Sequence, residues 1–195
     1  SKTGLFVDIV GLMVQAGSYP LPPSTGVYFN YPGPRTHDGL QYEDAPEEES
    51  AATLALVKEM IDDLIELNES GSMGCPPEVL ERTWSPDMIW YGPAGIGTKR
   101  GLKDFQENHQ RPFLHAFSDK QATDEIRIAE GDYVAAAGYQ QATHTGDYLG
   151  IPASGRRMAV SVFDIMRVAD GQLVEHWGLM DSMAAMAQLT GEGGG

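Results

Sequence analysis

Between Gln121 and Met180 the sequence alternates apolar and polar residues, or runs β-branched and aromatic, in four stretches: 121–130, 132–144, 157–168 and 172–180. A period of two is a strand pattern, because successive side chains leave opposite faces of the backbone. Turn residues part the stretches: Glu130-Gly131-Asp132, a loop from Gly146 to Gly155, and Ala169-Asp170-Gly171. Three to four long antiparallel strands in a meander are therefore expected. Residues 182–190 close the run with a Met- and Ala-rich helix, and 191–195 read as a loose glycine tail.

The first 120 residues have a different texture. Leu5, Ile9, Leu12 and Met13 recur at helical spacing and give a short helix over 5–16. Residues 18–50 carry prolines at 20, 22, 23, 32, 34 and 46, which no helix tolerates. Tyr19, Tyr28, Phe29, Tyr31 and Tyr42 in the same stretch suit an aromatic arm laid along the domain or across a partner. Leu54, Val57, Ile61, Leu64 and Ile65 form one stripe of a helix over 51–69. Pro76-Pro77 opens a short helix to about Thr83, and residues 85–91 look extended. A glycine loop over 92–97 follows, then a helix over 101–117 bent near Pro112. Helices first and strands later predict an α+β domain with helices on one face of an antiparallel sheet.

The two ends of the chain echo each other. Asp8, Met13 and Gln15 are spaced as Asp181, Met186 and Gln188 are. Residues 1–17 accordingly read as the tail of a preceding repeat, and 51–191 as the main domain.

Charge and cysteine content exclude whole classes of function. With 13 Lys plus Arg against 28 Asp plus Glu, the formal charge is −15. Such a chain repels nucleic-acid phosphate and anionic membranes. No run of about 18 apolar residues is present to span a bilayer. Ser1 to Val10 lack a basic segment followed by an apolar run, so a cytoplasmic location is expected. The single Cys75 excludes an internal disulfide framework and a multi-cysteine zinc site.

Three residues stand out as chemical candidates. Asp181 lies between an aromatic strand and the last helix. It is either the helix cap or a general base in an apolar pocket, where desolvation raises its pKa. Asp164 interrupts an apolar strand and shares a face with Val160, Val162 and Met166. It is either the polar group of a pocket or an outward residue beside Arg167. His109 is a donor to a pocket or a satisfied structural histidine. The other histidines show no metal-ligand spacing, so no metal is expected. The loop after Trp90-Tyr91 lacks the Gly-Lys-Ser/Thr ending of a phosphate loop, and no Gly-x-Ser-x-Gly elbow exists.

The stretch from Trp90 through Gly101 to His109-Gln110-Arg111-Pro112-Phe113-Leu114 resembles the SnoaL-like polyketide cyclase family. So does Arg167-Val168-Ala169-Asp170-Gly171-Gln172-Leu173-Val174-Glu175-His176-Trp177, followed by Asp181. The resemblance covers about residues 51–191. It implies a nuclear transport factor 2-like fold, in which a curved antiparallel or mixed sheet wrapped by N-terminal helices forms a cone around a ligand. It also implies cofactor-independent ring closure of an apolar, carbonyl-containing, polyketide-like compound by intramolecular aldol chemistry, and a homodimer or higher homo-oligomer. Asp181 matches the family's acid/base, and Asp164 stands where the family carries a histidine. On this reading Asp164 or His109 donates to the enolate oxygen, while Trp90, Tyr91, Phe113, Trp177 and Met180 line the cavity. Other readings of such a fold are a non-catalytic binding or assembly module and an epoxide hydrolase using Asp164, Asp181 and Arg167. Strand alternation sets Arg167 on the face opposite Asp164, against the latter.

Overall fold

The computed structural model describes residues 9–18, 44–69, 77–93 and 95–191. Cys75, the chain before Ile9, most of the aromatic arm (19–43) and the tail 192–195 lie outside the described residues. Helix α1 spans Ile9–Gln15, α2 Glu47–Glu69 and α3 Pro77–Leu80. Strand β1 (Trp84–Tyr91) and the two-residue β2 (Lys99–Arg100) follow. Next come α4 (Leu102–Phe105), a π-helical segment over Gln106–Gln110, and α5 (Arg111–Ala116). The meander is β3 (Gln121–Glu130), β4 (Tyr133–Thr143), β5 (Arg157–Ala169) and β6 (Gln172–Met180). Helix α6 is Ser182–Thr190.

The expected α+β class is the one the chain adopts. The strands form one mixed sheet ordered β2-β1-β6-β5-β4-β3. All neighbours are antiparallel except β1 and β6, which run parallel. Asp170 and Gly171 join β5 to β6 with positive φ at both positions, the geometry a two-residue hairpin favours.

Three boundaries differ from the sequence expectation for physical reasons. Helix α2 starts at Glu47 rather than 51, because Glu47, Glu48 and Glu49 meet the positive end of the helix dipole. Lys99 and Arg100 leave the glycine loop to pair with Trp90 and Ile89. The helix around His109 is irregular before Pro112 rather than at it: the wider π turn precedes a proline that has no N–H to offer.

The core lies on one face of the sheet. Trp84, Met88 and Trp90 of β1, Val134 and Ala136 of β4, and Met158, Val160 and Met166 of β5 are buried there. Val57 and Met60 of α2, Phe105 and Phe113 flanking the π segment, and Ala185 and Leu189 of α6 cover them. Burying such side chains contributes roughly 1.5–3 kcal/mol each. The same alternation sends Ile126, Ile128 and Tyr139 to the outer face, where they are more than half exposed. Helix α1 reaches that side: Ile9 and Val10 share a groove of about 280 Å³ with Phe163, Leu179, Asp181 and Met183.

Candidate functional site

On the inner face β5 and β6 bring an acid and a histidine together. Asp164 pairs in register with Gly178, and Met166 with His176. From that diagonal position His176 Nε2 lies 2.8 Å from Asp164 Oδ1. The pair is partly covered, with side-chain exposures of 12% for His176 and 31% for Asp164. Asp164 Oδ2 makes no hydrogen bond among the described residues, and His176 Nδ1 is buried without a partner. Gly178 keeps the space beside them open. A Cβ there would stand 3.3 Å from Trp90 Nε1 and 3.4 Å from Asp164 Oδ1.

The opposite wall comes from the π segment, which brings His109 over the inner face. Its imidazole stacks on Trp90, with ring centroids 4.0 Å apart and planes 17° from parallel. Phe105 and Phe113 flank it at 5.3 and 5.9 Å. Burial first, then the positive charges of Lys120, Lys99 and His176, hold the His109 pKa well below the ordinary histidine value. The ring is therefore neutral at pH 7, a hydrogen-bonding group rather than a cation. Beyond Phe113 the floor is apolar and nearly closed. Ile96, Phe117, Tyr148, Met158 and Met180 surround a cavity of about 20 Å³, room for one water.

Lys120 reaches the same region from the turn before β3. Its ammonium sits 5.6 Å from the Phe113 ring centroid. Burial lowers its pKa, against the raising effect of Asp164 and Asp124. Lys99 is 1% exposed and gives a hydrogen to the Ile96 carbonyl at 2.9 Å. Its pKa is also lowered by burial, with Asp104 opposing.

The sequence candidates divide between two places. Asp164, His109, Trp90 and Phe113 meet on the inner face. Asp181 does not join them. It is exposed, its carboxylate accepts the Ala184 N–H at 2.9 Å, and it caps α6 beside the outer groove. Among the described residues no dry pocket encloses Asp181: the helix start claims one oxygen and the residue is exposed. Tyr91 and Trp177 also lie outside. Stacked 5.0 Å apart and 6° from parallel, they cover the outer face beside Glu175, which accepts the Tyr91 hydroxyl at 2.9 Å. Met180 borders both the apolar cavity and the outer groove. Arg167 lies away from Asp164, as alternation requires, and pairs with Glu175.

Sequence reasoning passed over His176, Gly178 and Lys120. The two-residue spacing of His176, Gly178 and Met180 on β6 was the available signal for the first two. Among the described residues no group of three His, Cys, Asp or Glu is placed to hold a metal.

A mixed sheet of six strands with helices across its inner face is the architecture of the nuclear transport factor 2-like fold. Residues 55–189 match the model of the SnoaL-like polyketide cyclases, and the chain belongs to that family. Over 76 residues it is 32% identical to DnrD, the aklanonic acid methyl ester cyclase of Streptomyces peucetius, a stretch that is 38% of this chain and 52% of that protein. The chain thus spans about half the length of the curated relatives it matches. Among solved structures it is similar to TsrD from Streptomyces laurentii, at 28% identity and TM-score 0.58 over 69% of this chain and 95% of that one. It is equally similar to AclR from Streptomyces galilaeus, a candidate hydroxylase, at 26% identity and TM-score 0.58 over 73% and 98%.

Proposed function

We propose that the domain closes a ring in a carbonyl-containing, polyketide-like compound by an intramolecular aldol reaction, with Asp164 as general base. The observation that supports this most is the Asp164–His176 contact of 2.8 Å, which leaves Oδ2 of the acid without a hydrogen bond among the described residues. Asp164 Oδ2 removes a proton from a carbon between two carbonyl groups. The electron pair moves onto a carbonyl oxygen as an enolate, delocalised within the substrate. The enolate carbon then attacks a second carbonyl of the same molecule, and the protonated Asp164 returns its proton to the new alkoxide. His176 orients the carboxylate through Oδ1, and neutral His109 hydrogen-bonds the oxygen where charge develops. Trp90 and Phe113 hold the substrate plane and exclude water. The chemistry calls for no metal or cofactor. Asp181 serves the fold in this scheme.

Proton abstraction is measurable without the natural substrate. In deuterium oxide, the wild type should speed hydrogen–deuterium exchange at the carbon between the carbonyls of an aromatic β-diketone. Asp164→Asn should slow it by about 10²–10⁴-fold, the usual span for a general base. No acceleration by the wild type would leave the domain a non-catalytic binding module. The exposed Ile126, Ile128 and Tyr139 of the outer face support a homodimer, which sedimentation of the chain against Ile128→Glu would test.

A further inference from the structure

We infer that the outer groove beside α6 is a docking surface for the α6 helix of a second copy of this chain, and that α1 fills it as a built-in stand-in. The inference is independent of ring closure and concerns how two domains meet.

Helix α1 repeats α6. Asp8, Met13 and Gln15 are spaced as Asp181, Met186 and Gln188 are. The likeness extends to the backbone. Each helix is followed by a glycine with φ of 83°, Gly17 after α1 and Gly191 after α6, which runs one residue longer. Glycine ends a helix in that left-handed conformation without strain.

The two helices bury opposite faces. Helix α6 turns Ser182, Ala185 and Leu189 into its own domain and leaves Met183 48% exposed. The matching positions of α1 are Ile9, Leu12 and Ala16, and all three are exposed. Val10, which matches Met183, is the buried one among the described side chains of α1. Helix α1 therefore lies on the domain by the face that α6 presents to the outside. The α6 helix of a neighbouring copy would present that same face.

Matching positions also share one groove. Ile9 and Val10 line it together with Ser182 and Met183, their counterparts, beside Leu179 and Met180. In a two-fold contact the same patch of each copy meets itself. Helix α1 against α6 reproduces half of such a contact within a single chain.

The seat is underfilled. With Val10 in place, about 280 Å³ of the groove stays open among the described residues. Val10 does not belong to the core cluster, so the domain does not depend on it for its interior. A valine leaves contacts unmade that the longer, adaptable methionine of a second α6 would make. Helix α1 keeps its place because it is tethered. A covalently joined segment competes at an effective concentration on the order of 1 mM, about 100 times that of a second chain at roughly 10 µM.

The test is sedimentation of the full chain carrying Ile128→Glu, which removes the outer-strand pairing proposed above. Adding Val10→Glu unseats α1. It should tighten self-association by about 100-fold and double the mass relative to the parent at roughly 10 µM. Adding Met183→Glu as well should restore the mass of the parent. Leu12→Glu, on the exposed face of α1, should leave that mass unchanged. If Val10→Glu fails to fold, the neutral Val10→Asn takes its place. An Ile128→Glu parent that is already dimeric counts against the outer-strand pairing alone, and the Val10 and Met183 comparisons still decide this contact. An unchanged mass in the Val10 variant up to about 100 µM overturns the proposal. So does an added association that survives Met183→Glu, or one that Leu12→Glu also produces.

Discussion

The same two strands carry two acid–base pairs, on opposite faces of one sheet. On the outer face Arg167 Nε meets Glu175 Oε2 at 2.7 Å, and Tyr91 satisfies Oε1 at 2.9 Å. Glu175 has no exposure and Arg167 has 10%. On the inner face Asp164 and His176 meet at a similar distance, but among the described residues the acid keeps one oxygen without a hydrogen bond and the histidine one nitrogen. Bond length does not separate the two pairs. Completeness does: a pair whose carboxylate has both oxygens bonded holds strands together, and a pair with one oxygen left over offers an acceptor.

That contrast can be broken most severely at Asp164. The asparagine variant should lose the 10²–10⁴-fold exchange activity described above while its urea midpoint stays close to wild type. Glu175→Leu should behave in the opposite way. It leaves a buried guanidinium without its carboxylate and should cost about 3–5 kcal/mol in denaturant unfolding. Adding Arg167→Met should recover most of that loss, because replacing both charges removes the orphan. A stable Glu175→Leu would show that the outer pair is not the structural one.

Smaller effects sharpen the picture. His109 has a folded pKa below that of the unfolded chain, so acid favours unfolding. Its contribution is intact above about pH 6.5 and is lost as pH falls below that value towards the folded pKa. His144, lowered by burial, acts in the same direction. Thermal melts should therefore fall between pH 7.5 and pH 5. The limit is about 1.4 kcal/mol per pH unit for each histidine, and His109→Phe should remove its share. Smallest of all, Asp181→Ala should cost about 1 kcal/mol as a lost cap and leave exchange activity unchanged. An inactive, stable Asp181→Ala would return the role of base to that residue.

Much of the frame was legible because it is local. The alternation of β3 to β6, the Asp170-Gly171 turn and the limits of α6 all follow from neighbouring residues. Alternation also sets Asp164 on one face with Val160 and Met166, but leaves open whether that residue points into a pocket or outward. The partner of Asp164 was not legible, and a bulge is the reason. Strict counting from the Ala169–Gln172 pair sets Trp177 opposite Asp164. The register shifts by one between Val168 and Arg167, which instead brings Gly178 opposite and His176 onto the same face. Alternation alone therefore supports an aromatic neighbour for Asp164 and hides the histidine. Asp181 misled for a related reason: an Asp before a helix reads as a cap or a base until its surroundings are known. The parallel pairing of β1 with β6 has no local signature at all.

That parallel pairing also sets an order of events. Tyr91 and Glu175, which touch across it, are 84 residues apart in sequence. During synthesis β1 must wait for its β6 partner until nearly all of the domain has left the ribosome. Contacts of such long range form late and slowly. Trp90 pairs with His176 across that edge, so the two come side by side only once the first and last strands of the domain have met.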